Sequence, residues 1–101
     1  MKGKWRIVSM AMWDKNFLDM IEPAHISFND QDEGSFAFGC INATLACSLT
    51  TTTDADFTFE GQDEMEPTSG EGWAELQPDG SLEGEISFQN GDETSFTATK
   101  W

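Results

Sequence analysis

The sequence predicts an all-β protein, an eight-stranded antiparallel up-and-down barrel with one short amphipathic helix between strands one and two. Three observations carry this. Short runs that alternate apolar and polar residues recur along the chain, separated by Gly, Asn, Asp and Pro clusters at fairly even spacing, which is the rhythm of strands joined by turns. Eight Phe and four Trp supply more large core-formers than a disordered chain carries. Eight short antiparallel strands left as an open meander would expose two edges, and closing the last strand on the first removes both. At 101 residues the chain reads as a single domain over 1–101, able to bury one modest core.

Trp5, Ile7 and Ser9 alternate with Arg6 and Val8 in the first strand. Between Met12 and Pro23 the period becomes helical: Trp13, Phe17, Met20 and Ile21 fall at i, i+4, i+7 and i+8 and share one face, which would cover a barrel mouth. Asp14 stands where an N-cap belongs, Trp13 and Leu18 where a hydrophobic staple belongs, and Pro23 stops the helix. From His25 onward the chain shows seven further strands and no internal repeat. Ile26 and Phe28 lead through a polar loop, Asn29 to Gly34, into Phe36, Phe38 and Cys40. A turn at Asn42-Ala43 would pair Cys40 with Leu45, Phe38 with Cys47 and Phe36 with Leu49, so that both thiols face inward. Phe57 and Phe59 follow a linker from Thr50 to Asp56, and a long acidic loop from Glu60 to Gly70 comes next.

The C-terminal third is the most readable. In Gln77-Pro78-Asp79-Gly80-Ser81, Pro takes the first corner and Gly is third in the loop, as a three-residue hairpin with a type I turn and a glycine bulge requires. Leu76 then faces Leu82 and Ala74 faces Gly84. Gln89-Asn90-Gly91 repeats the device, placing Phe88 opposite Asp92, Ile86 opposite Thr94 and Gly84 opposite Phe96. Ala74, Leu76, Leu82, Ile86, Phe88, Phe96 and Ala98 all come to one face, so turns and alternation agree.

Five Lys and Arg against nineteen Asp and Glu give a net charge of −14. Such a surface repels nucleic-acid phosphates and anionic lipid headgroups, so neither nucleic acid nor a membrane surface is expected as a partner. No apolar stretch is long enough to span a bilayer. Ile7 to Trp13 is too short for a secretion leader and runs into Asp14 without a small-residue cleavage site. Two cysteines make no disulfide framework. The expectation is a cytoplasmic protein with Cys40 and Cys47 reduced and the Asn42-Ala43-Thr44 sequon unused. No histidines stand at ligand spacing, and the acidic runs Asp30 to Gly34 and Glu60 to Glu66 do not fit an EF-hand loop, so no metal is expected. His25, the single histidine, lacks a visible orienting partner for base chemistry. No phosphate loop, dinucleotide fingerprint or nucleophile elbow is present, so no cofactor and no catalytic residue is assigned, and a role other than catalysis is favoured.

Gly3-Lys4-Trp5, opening strand one and continuing as Arg6-Ile7-Val8, resembles the Gly-X-Trp motif that begins the lipocalin and wider calycin barrels, whose Trp plugs the closed end. The run from Gly91-Asp92-Glu93-Thr94-Ser95-Phe96 to Trp101 is similar in outline to calycin C-terminal hairpins. The resemblance implies a barrel able to hold a small apolar ligand, and names none. Lipocalins usually set an Arg over the Trp, where only Lys100 is available here. With Arg6 the sole Arg, no paired-arginine clamp for a fatty-acid carboxylate can be drawn. Some calycin-like barrels are cyclases or decarboxylases, so catalysis stays open on fold grounds.

Two roles follow. In the first, a small hydrophobic molecule sits under the helix, contacted by Trp13, Phe17 and Met20 with Phe28, Phe38 and Leu76 beneath them, since barrel mouths are common ligand sites. In the second, Phe28, Phe36, Phe38, Phe57, Phe59, Phe88 and Phe96 fill a barrel only just wide enough for side chains. The protein is then an interaction or oligomerising domain acting through its acidic outer face. Register puts Trp73 on that face opposite Glu85, beside a directly opposed and mutually repelling Glu75 and Glu83. Aromatic residues are enriched where partners dock. These four residues are the expected contact for a second subunit or a basic protein partner, unless Trp73 lies flat beneath the Glu60 to Gly70 loop.

Overall fold

The computed structural model describes residues 3–20, 22–29, 31–51 and 53–101. Its elements are β1 (Gly3–Met10), α1 (Lys15–Leu18), β2 (His25–Phe28), β3 (Glu33–Phe38), β4 (Ile41–Thr50), β5 (Asp54–Asp63), β6 (Glu66–Leu76), β7 (Leu82–Phe88) and β8 (Glu93–Lys100). Each strand pairs with the next, and β8 pairs antiparallel with β1, so the sheet closes into the expected up-and-down barrel. Closure matches Ile7 with Ala98 and Met10 with Phe96. The start of β1, the end of β8 and the β2–β3, β4–β5 and β6–β7 loops gather at one mouth, here the proximal one. The α1 turn and the β3–β4, β5–β6 and β7–β8 turns gather at the other, distal mouth.

The interior is filled by rings. At the proximal half Phe28 packs between Trp5 and Phe57, with centroids 6.1 Å from each. Further along, Phe36 meets Phe59 at 4.9 Å and Phe38 at 5.4 Å, and Phe59 meets Phe88 at 5.4 Å. These rings fit because facing positions carry no side chain. A Cβ on Gly70 would stand 2.9 Å from Phe59, one on Gly72 2.8 Å from Phe57, and one on Gly84 2.8 Å from Phe96, each also against a carbonyl of the neighbouring strand. An eight-stranded barrel has room for side chains alone, and alternating large with small is how such a core reaches native density.

At the proximal mouth Trp5 is buried, and the Lys100 ammonium lies 4.4 Å above its ring. That is where the sequence left Lys100 in place of an arginine, and the contact is a cation–π one. Gly3 makes room for it: at φ +133, a Cβ there would fall 2.1 Å from Lys100 Nζ. Lys4 mirrors the arrangement 4.3 Å over Trp101.

Both C-terminal hairpins form as read. Leu76 pairs with Leu82, Ala74 with Gly84, Ile86 with Thr94 and Gly84 with Phe96. Gly80 (φ 89) and Gly91 (φ 104) take the bulge positions, and their N–H groups donate to Gln77 and Phe88 carbonyls at 2.9 and 3.0 Å. The Ser81 hydroxyl and N–H both donate to the Asp79 carboxylate, which holds its pKa below the ordinary value.

Five expectations need correction. The helix is one turn, not Met12 to Pro23. Asp14 caps it, accepting from Phe17 N–H at 3.0 Å. It ends because Asp19 turns away to hold Arg6 (3.3 Å) and the Ala24 N–H (3.0 Å), while Gly39 N–H takes the Leu18 carbonyl. Leu18 is therefore the fully buried residue and Met20 is 56% exposed; Ile21 lies outside the described residues. The β3–β4 turn is at Gly39-Cys40, pairing Phe38 with Ile41 and Phe36 with Ala43. Gly39 (φ 57) takes the first corner, as a two-residue II′ hairpin asks of glycine. Cys40 thus sits in a turn and not on the inward face. Glu60 to Gly70 is no loop: it belongs to the long β5–β6 hairpin, closed by Glu64-Met65 with both residues at positive φ (50 and 78), the I′ geometry. The Thr50 to Asp56 linker shrinks likewise, because β4 runs to Thr50 and β5 starts at Asp54. Finally, a bulge between Ile7 and Ser9 turns Ser9 outward and buries Met10.

Leu18→Ala should lower unfolding free energy by about 2–5 kcal/mol, the usual cost of a cavity at a buried leucine, whereas Met20→Ala should stay within about 0.5 kcal/mol. Urea unfolding of the two variants checks this, and equal losses would restore the longer helix. Gly84→Ala should cost at least about 1–3 kcal/mol by overpacking against Phe96, measured in the same way.

Candidate interaction surface

The residues singled out for an apolar ligand are not brought to one place. Trp13 and Phe17 reach the distal mouth, where Trp13 stacks on Phe17 at 5.5 Å and meets Phe38 at 5.3 Å and Phe88 at 6.1 Å. Met20 stands outside them. Phe28, ending β2, and Leu76, ending β6, belong to the proximal half. The three that meet do so ring against ring, with Phe38 fully buried.

Beside this mouth lies the β3–β4 turn. The Cys40 thiol is 3.7 Å from Met20 Sδ. Its hydrogen bond with the Glu64 side chain raises its pKa, helped by desolvation and by the charges of Glu64 and Asp63. Cys47 is half-buried against the core, and neither cysteine is bridged. Among the described residues, no group of three His, Cys, Asp or Glu side chains is placed to hold a metal ion. His25 Nδ1 lies 3.1 Å from the Pro23 carbonyl, and its ring meets Trp101 edge to face.

Two concavities lie on the outside. A trough of about 1040 Å³ crosses β2 to β7. In each strand it is lined by one inward residue and by its outward neighbours. Ser27, Ser35, Thr44, Thr58, Ser69 and Ser87 form the floor, and Glu33, Glu60 and Glu71 stand along it. These positions are far apart in sequence and become neighbours only through pairing, as with Ser27 and Ser35, Thr44 and Glu60, and Glu71 and Ser87. A smaller cleft of about 440 Å³ shares Glu60, Ser69 and Gln89 and continues toward the β5–β6 tip.

Trp73 adjoins the trough, two residues along β6 from Glu71. It pairs with Asp56 on one side and Glu85 on the other, and Glu75 pairs with Glu83 beside it. Since 60 to 70 is strand, no loop folds over Trp73, and it is 40% exposed. The acidity of this face has a sequence signal that strand-by-strand reading passes over: from Asn16 to Thr99 there is no Lys or Arg, while every Asp and Glu but Asp14 lies in that stretch. Lys4 and Arg6 lie on β1 and Lys100 ends β8, while Lys15 begins α1.

Fold and surface together define a small closed antiparallel barrel with a packed interior and a segregated acidic outside. Comparison with protein families, curated proteins and solved structures finds no match to this chain. Among the described residues, no helix is long and apolar enough to cross a membrane.

The Cys40 environment makes a pH prediction. With its pKa raised, less thiolate is present at any pH below that value, so alkylation of Cys40 should be slow at neutral pH and accelerate only above the ordinary thiol range. Glu64→Gln should shift the rate profile to lower pH. Alkylation rates of wild type and variant, with Cys40 identified by peptide mapping, check this; an unshifted profile would remove the Glu64 contact.

Proposed function

We propose that this chain is a lipocalin-like barrel in which the interior serves packing and the outer face serves binding, and that it acts as a cytoplasmic interaction module for a basic protein partner. One observation carries the reading. The interior is occupied by mutually contacting rings, while the clefts open outside on a face whose charged residues are all carboxylates. Trp73 between Asp56 and Glu85 is a fitting anchor, because an indole face and flanking carboxylates suit a guanidinium. The lipocalin likeness is supported by Lys100 over Trp5, which places a cation where that family sets its arginine. An apolar ligand under Trp13 would first have to displace that ring from Phe38 and Phe88. A second copy meeting this face with its own would oppose carboxylate to carboxylate, so a basic partner is the better match.

The peptide Arg-Ser-Arg-Ser, titrated at low salt with tryptophan fluorescence and calorimetry, should bind wild type, weaken as salt rises, and bind Trp73→Ala about fivefold less tightly, the roughly 1 kcal/mol expected of a cation–π contact. Apolar dyes and a fatty-acid panel should leave the melting temperature unchanged. Stoichiometric binding of an apolar probe with thermal stabilisation, and none of the peptide, would hand the function to the barrel interior.

A further inference from the structure

Resting on this outer-face reading, the geometry points to the trough across β2 to β7 as the seat of an extended arginine-rich segment of the partner, with Trp73 at its margin. Shape is the first reason. Six strands are separated by five spacings of about 4.8 Å, so the floor runs for about 24 Å, the reach of about seven extended residues at about 3.3 Å each. Its small hydroxyl side chains keep the floor low and offer oxygen acceptors to a chain laid across it. Some are already engaged sideways, Ser27 with Ser35 at 3.1 Å and Ser69 with Gln89 at 2.5 Å, so the floor is organised before anything binds.

Charge spacing is the second reason. Glu60 pairs with Ser69, and Glu71 with Thr58, so the two glutamates are diagonal neighbours on adjoining strands. Such neighbours lie about 7–8 Å apart, and the two stand on opposite sides of the trough, since Glu60 shares a row with Ser27, Ser35, Thr44 and Ser69 while Glu71 shares one with Glu33, Ala46, Thr58 and Ser87. A segment lying along the trough therefore passes between Glu60 on one side and Glu33 and Glu71 on the other, so that arginine side chains projecting to either side meet a carboxylate, and Trp73 stands two residues beyond Glu71 at the margin. Arginine fits better than lysine, because its planar fork takes a carboxylate with two hydrogen bonds and stacks on an indole. No Lys or Arg lines the trough to oppose it.

The test compares the tetrapeptide Arg-Ser-Arg-Ser with its eight-residue repeat by calorimetry on the whole chain. Wild type should bind the octapeptide at least tenfold more tightly than the tetrapeptide, and at least threefold more tightly than the matching Lys-Ser octapeptide. Ala46→Trp and Ser87→Trp fill the floor and leave every charge in place; in each the tenfold gain should fall below threefold while tetrapeptide affinity stays. Thr99→Trp, on β8 away from the trough, should keep the gain. Should a floor variant not fold, the pair Glu60→Gln/Glu71→Gln should lose the gain and the equally charged control Glu22→Gln/Asp92→Asn should keep it. An undiminished gain in the floor variants, or equal loss in the two charge-matched pairs, would overturn the trough and leave binding at Trp73 intact. Failure of the tetrapeptide to bind wild type would instead remove the outer-face reading itself.

Discussion

Phenylalanine on glycine is the contact on which this barrel depends. Eight strands enclose a space that side chains alone can fill, and the chain brings to it more large rings than eight fully substituted staves would hold. Gly70 and Gly72 on β6 and Gly84 on β7 give up their side chains so that Phe59, Phe57 and Phe96 can lie against the backbone. The wall is thin where the rings are thick. Close packing of this kind holds a single arrangement, and it leaves the inside with nothing further to accommodate.

The outside is organised by a second constraint, the seam between β1 and β8. A barrel closes only if its first and last strands meet, and here those strands carry three of the five Lys and Arg: Lys4 over Trp101, Lys100 over Trp5, and Arg6 against Asp19. Gly3 belongs to the same joint, since its missing side chain is where the Lys100 ammonium lies. The strands β2 to β7 contain no Lys or Arg, and β3, β5, β6 and β7 carry carboxylates. The net charge read from composition is thus a division of the surface into two unequal parts.

Much of the fold was legible because turns announce register. Gly80 and Gly91 sit third in their loops, and from them every pair between β6 and β8 follows. Reading failed where a turn carried a weaker sign. Asn42-Ala43 suggests a corner, yet Gly39 makes it, and pairing slid by six residues. That is an even number, so Phe36 and Phe38 still face inward with new partners, while Cys40 left that face for the turn. The 60 to 70 segment was missed for another reason: it extends past the packed interior, has only Met65 and Pro67 among its polar and glycine residues, and so lacks the period that reveals a strand. The helix was overdrawn because i, i+4, i+7 counts residues a single turn never reaches. Of the surface, Trp73 and its carboxylates were readable from hairpin register. The trough was not, since its floor is assembled from hydroxyls scattered from Ser27 to Ser87 that only six aligned strands bring level.

Charge divided in this way also acts at a distance. With Lys4, Arg6 and Lys100 on β1 and β8 and carboxylates along β3, β5, β6 and β7, charge is unevenly divided over the molecule, and its field acts on a charged body before contact is made. A positively charged body drawing near would meet the β3 to β7 side more often than chance allows, within roughly 10 Å at 0.1 M salt. Long-range forces of this kind raise encounter rates more than they deepen the final complex. The seam that shuts the barrel therefore also decides which side of it faces an arriving cation.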